Sequence, residues 1–184
     1  MRAILITLAV CFAAPAIAGQ TTIPNYETTR KDFFYTKLYS KGGFTLYCGQ
    51  WFGVRVHSGQ VKEKSPGLNI EHVYPASWML PKFNCTSRTQ CRQDSPAFNF
   101  AEADMHNLYP AISFVNSNRS NEKFADVPGE TLAYEDCDFE SSGSPQVTEP
   151  RPQARCAIKG SRTSAFRPSR RARVPASSWP MSRE

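Results

Sequence analysis

The chain has 184 residues and a formal net charge of +6, a length that fits one domain with a buried core. The charge is uneven: residues 1–150 carry 13 Lys and Arg against 15 Asp and Glu, whereas residues 151–184 carry 9 basic residues against one acidic residue. Because the basicity lies near the C-terminus, the net charge excludes any simple argument for a polyanion-binding surface on the rest of the chain.

The first predicted element is a secretory signal peptide. The uncharged stretch AILITLAVCFAAPAIA ends in Ala16-Ile17-Ala18, which has the A-x-A form of a cleavage site. We therefore expect a signal peptide at residues 1–18 and a mature chain that begins near Gly19. The stretch is too short to favour a membrane anchor, and no other stretch has the ~20 apolar residues of a spanning helix. The sequence predicts a periplasmic or secreted protein that is free of the membrane after signal cleavage.

Hydrophobic periodicity predicts one helix and several strands in the first half of the mature chain. The apolar residues of 26–40 recur at helical spacing with Lys and Arg between them, and Gly42-Gly43 would end this helix. Residues 44–56 are β-branched and aromatic, which predicts one or two strands. Asn69-Ile70 would form a short strand that leads into residues 71–79.

The second half has weaker periodicity. Residues 81–100 are predicted as a loop, and residues 111–118, which follow Pro110, are predicted as a helix with proline near its start. This order of elements predicts an α+β fold with a small mixed sheet. From about residue 141 the sequence has no periodicity, which predicts a loop followed by a tail.

The basic tail has two interpretations. It could be an arm that binds nucleic acid. It could also be a disordered or out-of-frame terminus, since Arg, Pro and Ser without a pattern are typical of neither helix nor strand. We favour the second interpretation, with a folded domain at residues 19–155 and an aberrant tail at residues 156–184.

Five cysteines remain after signal cleavage. In an oxidising compartment they are expected to form disulfides rather than bind zinc. Cys85 and Cys91 enclose only the five residues TSRTQ, which predicts a local bridge that contributes roughly 2 kcal/mol. Cys48 and Cys137 would then form a long-range bridge, and Cys156 would lack a partner.

The candidate catalytic residues cluster around two of the three histidines, His57, His72 and His106. A lone histidine is more often structural than catalytic. His72, however, follows Glu71 in EHVYPASWM (71–79), and His106 lies in DMHNLYP (104–110). Such pairs can combine a metal ligand with a group that moves a proton.

A third polar cluster lies nearby in NSNRSN (116–121), which contains Asn116, Asn118, Arg119 and Asn121. Helix capping can explain one or two of these asparagines. It does not explain all of them, so the cluster is a candidate part of a site.

These three motifs, in this order and spacing, resemble the endonuclease I family over about residues 27–155. The resemblance implies a periplasmic or secreted nuclease with a ββα-metal site of the His-Asn type. The Cys85–Cys91 loop with Arg88 inside it also resembles the family. We therefore expect α+β architecture around this motif, stabilised by the disulfides.

The resemblance also implies residue roles. His72 would be the general base, Glu71 and Asn116 would hold one Mg²⁺ ion, and Arg88 would approach the scissile phosphate. The supporting residues that it implies are Glu102, His106, Asn107 and Asn121.

Physical chemistry is compatible with these roles. Mg²⁺ prefers oxygen ligands and keeps several waters, and an imidazole is a usable base at neutral pH. Adjacent strand residues point to opposite faces, so we expect the chain to bend or leave the sheet near Glu71 and His72. No base-specific recognition is visible, and a site built around phosphate and metal predicts cleavage with little sequence preference. The resemblance implies activity on DNA and often on RNA, and we expect a monomer.

The resemblance ends after residue 155, because Cys156 stands where the family pattern implies glycine. Our hypothesis is that the chain is frameshifted or truncated from that point. Two alternatives to an active nuclease remain open. One is an inactive relic of the same fold that at most binds nucleic acid, and the other is a zinc-stabilised module using His72, His106 and two cysteines.

Overall fold

The computed structural model describes residues 19–129, 137–143, 146–154 and 158, without the side chains of residues 143 and 146. The predicted signal peptide at residues 1–18 lies outside the described residues. So does the predicted tail at residues 156–184, apart from residue 158.

The N-terminal helix begins with α1 (Tyr26–Thr28) and continues as a π-helix (Thr29–Leu38). The prediction of a helix at 26–40 is therefore confirmed, although most of it has the wider π geometry. Beyond its end, Gly42 has a φ of +87°, and a Cβ there would lie 2.1 Å from the carbonyl oxygen of Phe52. Only glycine fits this turn, which directs the chain away from the helix.

Short antiparallel strands follow. They are β1 (Gly43–Phe44) paired with β2 (Trp51–Phe52), and β3 (Val54–His57) paired with β4 (Gln60–Lys64). Strands were predicted within residues 44–56, but β4 was not. Its residues QVKEK are mostly exposed and polar, so they lack the apolar alternation that identifies a strand from sequence.

The central pair joins β5 (Leu68–His72) to β6 (Leu108–Ile112) in antiparallel register, with His72 opposite Leu108. The strand predicted at Asn69-Ile70 is confirmed. The helix α5 (Ser113–Arg119) follows β6 directly. The prediction of a helix from residue 111 is thus two residues early, and Pro110 lies inside β6.

The prediction of a loop at residues 81–100 is wrong. After α2 (Ala76–Met79) and a 3₁₀ turn, the chain forms α3 (Arg88–Asp94) and α4 (Pro96–Glu102). Ser87 and Ser95 cap them, since their hydroxyls accept hydrogen bonds from the amides of Gln90 and Phe98. Each helix has only seven residues, so its start is set by a capping side chain rather than by a visible apolar stripe.

The loop predicted from residue 141 is also wrong. The strands β8 (Phe139–Gly143) and β9 (Gln146–Pro150) are antiparallel, and β7 (Lys123–Phe124) pairs with β9 in parallel. Phe139 and Phe124 are buried and pack in one core with Tyr47, Val115 and other residues. Burial on this core stabilises a segment that has little strand signal of its own.

The two predicted disulfides are present. One is long-range, Cys48–Cys137, and the other is local, Cys85–Cys91. Helices and small separate sheets confirm the α+β class. In the described ranges, no helix has the length and apolar character needed to cross a membrane.

Candidate active site

An open cavity of about 250 Å³ lies where β5, α3 and α5 meet. Five of the residues predicted from sequence line it: Glu71, His72, Arg88, Asn116 and Asn121. They come from segments 50 positions apart in the chain. The structure therefore places the proposed base, metal ligands and phosphate-binding cation at one opening.

Glu71 lies in the buried wall of this cavity. Its Oε1 atom accepts hydrogen bonds from the Tyr47 hydroxyl and from Nη1 of Arg119, the latter at 3.0 Å. Burial nevertheless raises the pKa of Glu71 to about 7, with Arg119 and Tyr47 acting in the opposite direction. A carboxylate that is desolvated and only partly compensated in this way is suited to bind a further cation.

Asn116 extends from α5 toward the same carboxylate. Its Nδ2 donates to Oδ1 of Asn69 at 2.9 Å, and its side chain also hydrogen-bonds Glu71. Because an amide nitrogen is the donor in both bonds, the side-chain oxygen of Asn116 is the atom that can bind a cation.

His72 is buried beside the cavity, with Nε2 3.0 Å from the carbonyl oxygen of Glu102. A carbonyl oxygen only accepts, so Nε2 carries the hydrogen and Nδ1 of the neutral ring keeps a lone pair. Burial, followed by the charge of Arg88, lowers the pKa of His72 to about 4. The imidazole is therefore neutral near neutral pH, with the lone pair of Nδ1 unprotonated.

β5 keeps its pairing through His72 and ends there. The two neighbouring side chains have separate partners: Glu71 contacts Tyr47 and Arg119, whereas His72 contacts Glu102 and the ring of Tyr26. The expected departure from the sheet comes only after His72. Both side chains reach the cavity because it lies at the end of the strand.

Arg88, the first residue of α3, is held by the buried carboxylate of Glu102. The same carboxylate accepts hydrogen bonds from Arg92 at 2.8 and 3.0 Å. Arg88 lines the cavity and its side chain is 41% exposed, so its guanidinium is fixed at one edge and accessible at the other. Glu102 thus orients a cation instead of lining the cavity itself.

A known protein family matches most of the chain. The family model described as Endonuclease I matches residues 19–162. The chain belongs to the endonuclease I family. An extracellular deoxyribonuclease of Aeromonas hydrophila is 32% identical over 145 residues, covering 71% of this chain and 61% of that protein.

Two further relatives are also named as nucleases. A periplasmic deoxyribonuclease of Aeromonas hydrophila is 30% identical over 147 residues, covering 72% of this chain and 59% of the relative. Endonuclease-1 of Buchnera aphidicola is 30% identical over 100 residues, covering 53% of this chain and 40% of that relative. The chain therefore spans about three fifths of the length of the Aeromonas relatives that it matches.

Of the remaining predicted residues of this endonuclease I family member, only Asn121 is among the residues that line the cavity. Asn107 braces the segment after β5, because its side chain accepts from the amide of Tyr74 at 2.7 Å and donates to its carbonyl at 2.9 Å. His106 points outward and pairs with Asp104 at 2.8 Å, with 74% of its side chain exposed. Asn121 is exposed at the cavity edge, near the hydroxyl of Ser77.

Arg119, whose side chain is the largest of the fully buried ones among the described residues, had no role predicted from the sequence. Besides Glu71, it donates to the carbonyls of His72 and Val73 at 3.3 and 2.9 Å, and its guanidinium lies 4.5 Å from the ring centre of Phe124. It belongs to the NSNRSN cluster, so the cluster signal pointed to it without revealing its partners. Tyr47 has no comparable signal, since it is one aromatic residue in a strand-like stretch.

The zinc hypothesis is wrong. Disulfides take Cys48, Cys137, Cys85 and Cys91, which leaves Cys156 as the one remaining cysteine of the predicted mature chain. Two cysteine ligands are therefore not available to join His72 and His106.

Proposed function

We propose that this protein is a periplasmic or secreted, Mg²⁺-dependent endonuclease that hydrolyses phosphodiester bonds of DNA with little sequence preference. The meeting of Glu71, His72, Arg88 and Asn116 at one cavity carries the proposal. Its family, and relatives named as extracellular and periplasmic deoxyribonucleases, support the substrate and the location.

His72 is the general base of this proposal. Nδ1 takes a proton from a water molecule as the water oxygen forms a bond to phosphorus and the bond to the 3′ oxygen breaks. The bond from Nε2 to the carbonyl of Glu102 fixes the tautomer that leaves Nδ1 available. Burial keeps the ring in its neutral form at neutral pH, which is the form that a general base requires.

Glu71 and Asn116 fit a Mg²⁺ site. One carboxylate and one amide oxygen suit an ion that prefers oxygen ligands and retains water. Burial raises the pKa of Glu71, and a bound cation would favour its ionised form. When bound, the ion would stabilise the charge that develops on the phosphate and on the leaving oxygen. Tyr47 and Arg119 hold the carboxylate in place.

Arg88 supplies a second positive charge from the part of the cavity wall that α3 forms. Its ion pair with Glu102 limits the movement of the guanidinium, which lowers the cost of orienting it on a phosphate oxygen. We assign supporting roles to His106, Asn107 and Asn121. Asn107 holds the backbone of Tyr74, two residues after His72.

Plasmid nicking tests the function. The purified protein is incubated with supercoiled plasmid in Mg²⁺ and in EDTA, beside His72→Ala and a matched control, His57→Ala, whose histidine is exposed on β3. We expect nicking only with Mg²⁺, a loss of at least about 100-fold for His72→Ala, and unchanged activity for His57→Ala. Activity that survives EDTA or the His72 change would refute the mechanism. Binding of plasmid without nicking would favour the inactive relic.

A further inference from the structure

A second open cavity, of about 700 Å³, lies between the N-terminal helix and the β3–β4 hairpin. It adjoins the active-site cavity, since Ile70 contributes to the walls of both. Tyr26 in its wall contacts His72, with ring centroids 4.9 Å apart, and Asn69 in its wall accepts the hydrogen bond from Asn116. A nucleic-acid strand cut at the active site would therefore pass beside this space.

Cations line the second cavity from two sides. Arg30 and Lys31 come from the helix and Lys64 comes from β4, with Asp32 as the acidic lining residue. Arg30 and Lys31 share one exposed carboxylate, that of Glu27, at 2.7 and 3.8 Å. A single shared carboxylate leaves these two cations incompletely neutralised.

Lys64 has an environment suited to an anion. Its Nζ donates to the carbonyl of Leu68 at 2.9 Å and lies 5.0 Å from the ring centre of Tyr35. Both partners are neutral, and no ion pair in the described ranges includes Lys64. Partial burial lowers its pKa, because the ammonium loses water without gaining a negative partner.

We propose that this cavity binds backbone phosphates of the strand being cut, next to the scissile phosphodiester, through Lys31 and Lys64. The inference rests on the proposed nuclease function and extends it to a substrate-positioning site. The volume is in the range of sites that enclose ligands of nucleotide size. The contacts of its wall residues Tyr26 and Asn69 with His72 and Asn116 place it next to the active site, which favours a polynucleotide over a free anion.

Salt-dependent binding of a short fluorescent DNA duplex, measured by anisotropy in EDTA, tests this site without turnover. The variant is Lys31→Gln with Lys64→Gln. The control is Lys37→Gln with Lys123→Gln, which removes the same charge from exposed positions outside both cavities. Two lost phosphate contacts should reduce the slope of log Kd against log salt by about 1.8. The control should change the slope by less than half as much.

A conservative variant separates charge from folding. Replacing Lys31 and Lys64 by Arg should keep the slope of the unchanged protein, whereas a merely structural role for the lysines would not predict this rescue. Equal slopes for the glutamine variant and its control would overturn the inference, as would a fall in kcat with Kd unchanged. Failure of the unchanged protein to cut DNA in Mg²⁺ would instead overturn the proposed function, while the anisotropy series still decides the phosphate site.

Discussion

Arg119→Met removes a buried charge from beneath the candidate active site. The methionine keeps the unbranched stem but loses the hydrogen bonds to Glu71, His72 and Val73. Because both Arg119 and Glu71 are buried, the change leaves a carboxylate in the interior without its cationic partner. Breaking a buried ion pair on one side costs about 3–5 kcal/mol, and we expect a loss of that size in the free energy of unfolding.

The loss should depend on pH. Burial raises the pKa of Glu71 to about 7 from 4.5, and Arg119 is the largest opposing influence, so removing Arg119 raises this pKa further. A raised carboxyl pKa means that the folded protein binds more protons than the unfolded chain between the two values. Stability therefore falls as pH rises through that window. The variant should be least destabilised near about pH 5 and most destabilised above pH 7.

Urea unfolding in EDTA measures this effect, with Glu71→Gln completing a double-mutant cycle. At alkaline pH the two changes should be coupled by about 1–3 kcal/mol, because Arg119→Met costs less when position 71 carries no charge. Some cost remains in both backgrounds, since the carbonyls of His72 and Val73 lose their donor. This account of the Arg119–Glu71 pair would be refuted if the losses of unfolding free energy for the two changes were additive. It would also be refuted if the loss for Arg119→Met were equal near about pH 5 and above pH 7.

The two arginines on Glu102 and the two disulfides provide further tests. Arg88→Gln should lower kcat for plasmid nicking by at least about 100-fold through loss of a charge beside the phosphate, whereas Arg92→Gln, which is not part of the cavity wall, should cost less than tenfold. Equal losses would contradict the role of Arg88. Removing the long-range disulfide by paired Cys→Ser changes should lower the free energy of unfolding by about 4–5 kcal/mol, against about 2 kcal/mol for the local one. The reason is that they span 89 and 6 positions, and equal losses in urea unfolding would contradict the loop-length argument.

Local patterns in the sequence were enough to predict part of this fold. The apolar spacing of residues 26–40 gave the N-terminal helix, and the short separation of Cys85 from Cys91 gave the local disulfide. Cys48–Cys137 was predicted as the long-range pair among the three cysteines that remained. The π geometry was not predictable, because wider hydrogen bonding places Phe34 and Tyr35 together in the core without a distinct sequence pattern.

Elements that depend on distant partners were missed. The helices α3 and α4 are too short to show a period, and β8 and β9 are stabilised by a core that includes residues from the first third of the chain. The support of Glu71 is similarly non-local, since Tyr47 lies 24 positions before it and Arg119 lies 48 positions after it. Motif spacing identified five of the residues that line the cavity, but not the roles of the buried side chains of Tyr47 and Arg119, which hold Glu71.

Glu102 ends α4 with two tasks in one residue: its backbone carbonyl binds the ring of His72, and its carboxylate binds Arg88. The proposed general base, His72, and the proposed phosphate-binding cation, Arg88, are thereby held by the same residue. A small displacement of the α4 terminus would carry both groups in the same direction and preserve their separation. Catalytic alignment in this fold should consequently tolerate thermal motion of that helix better than it tolerates any change at position 102.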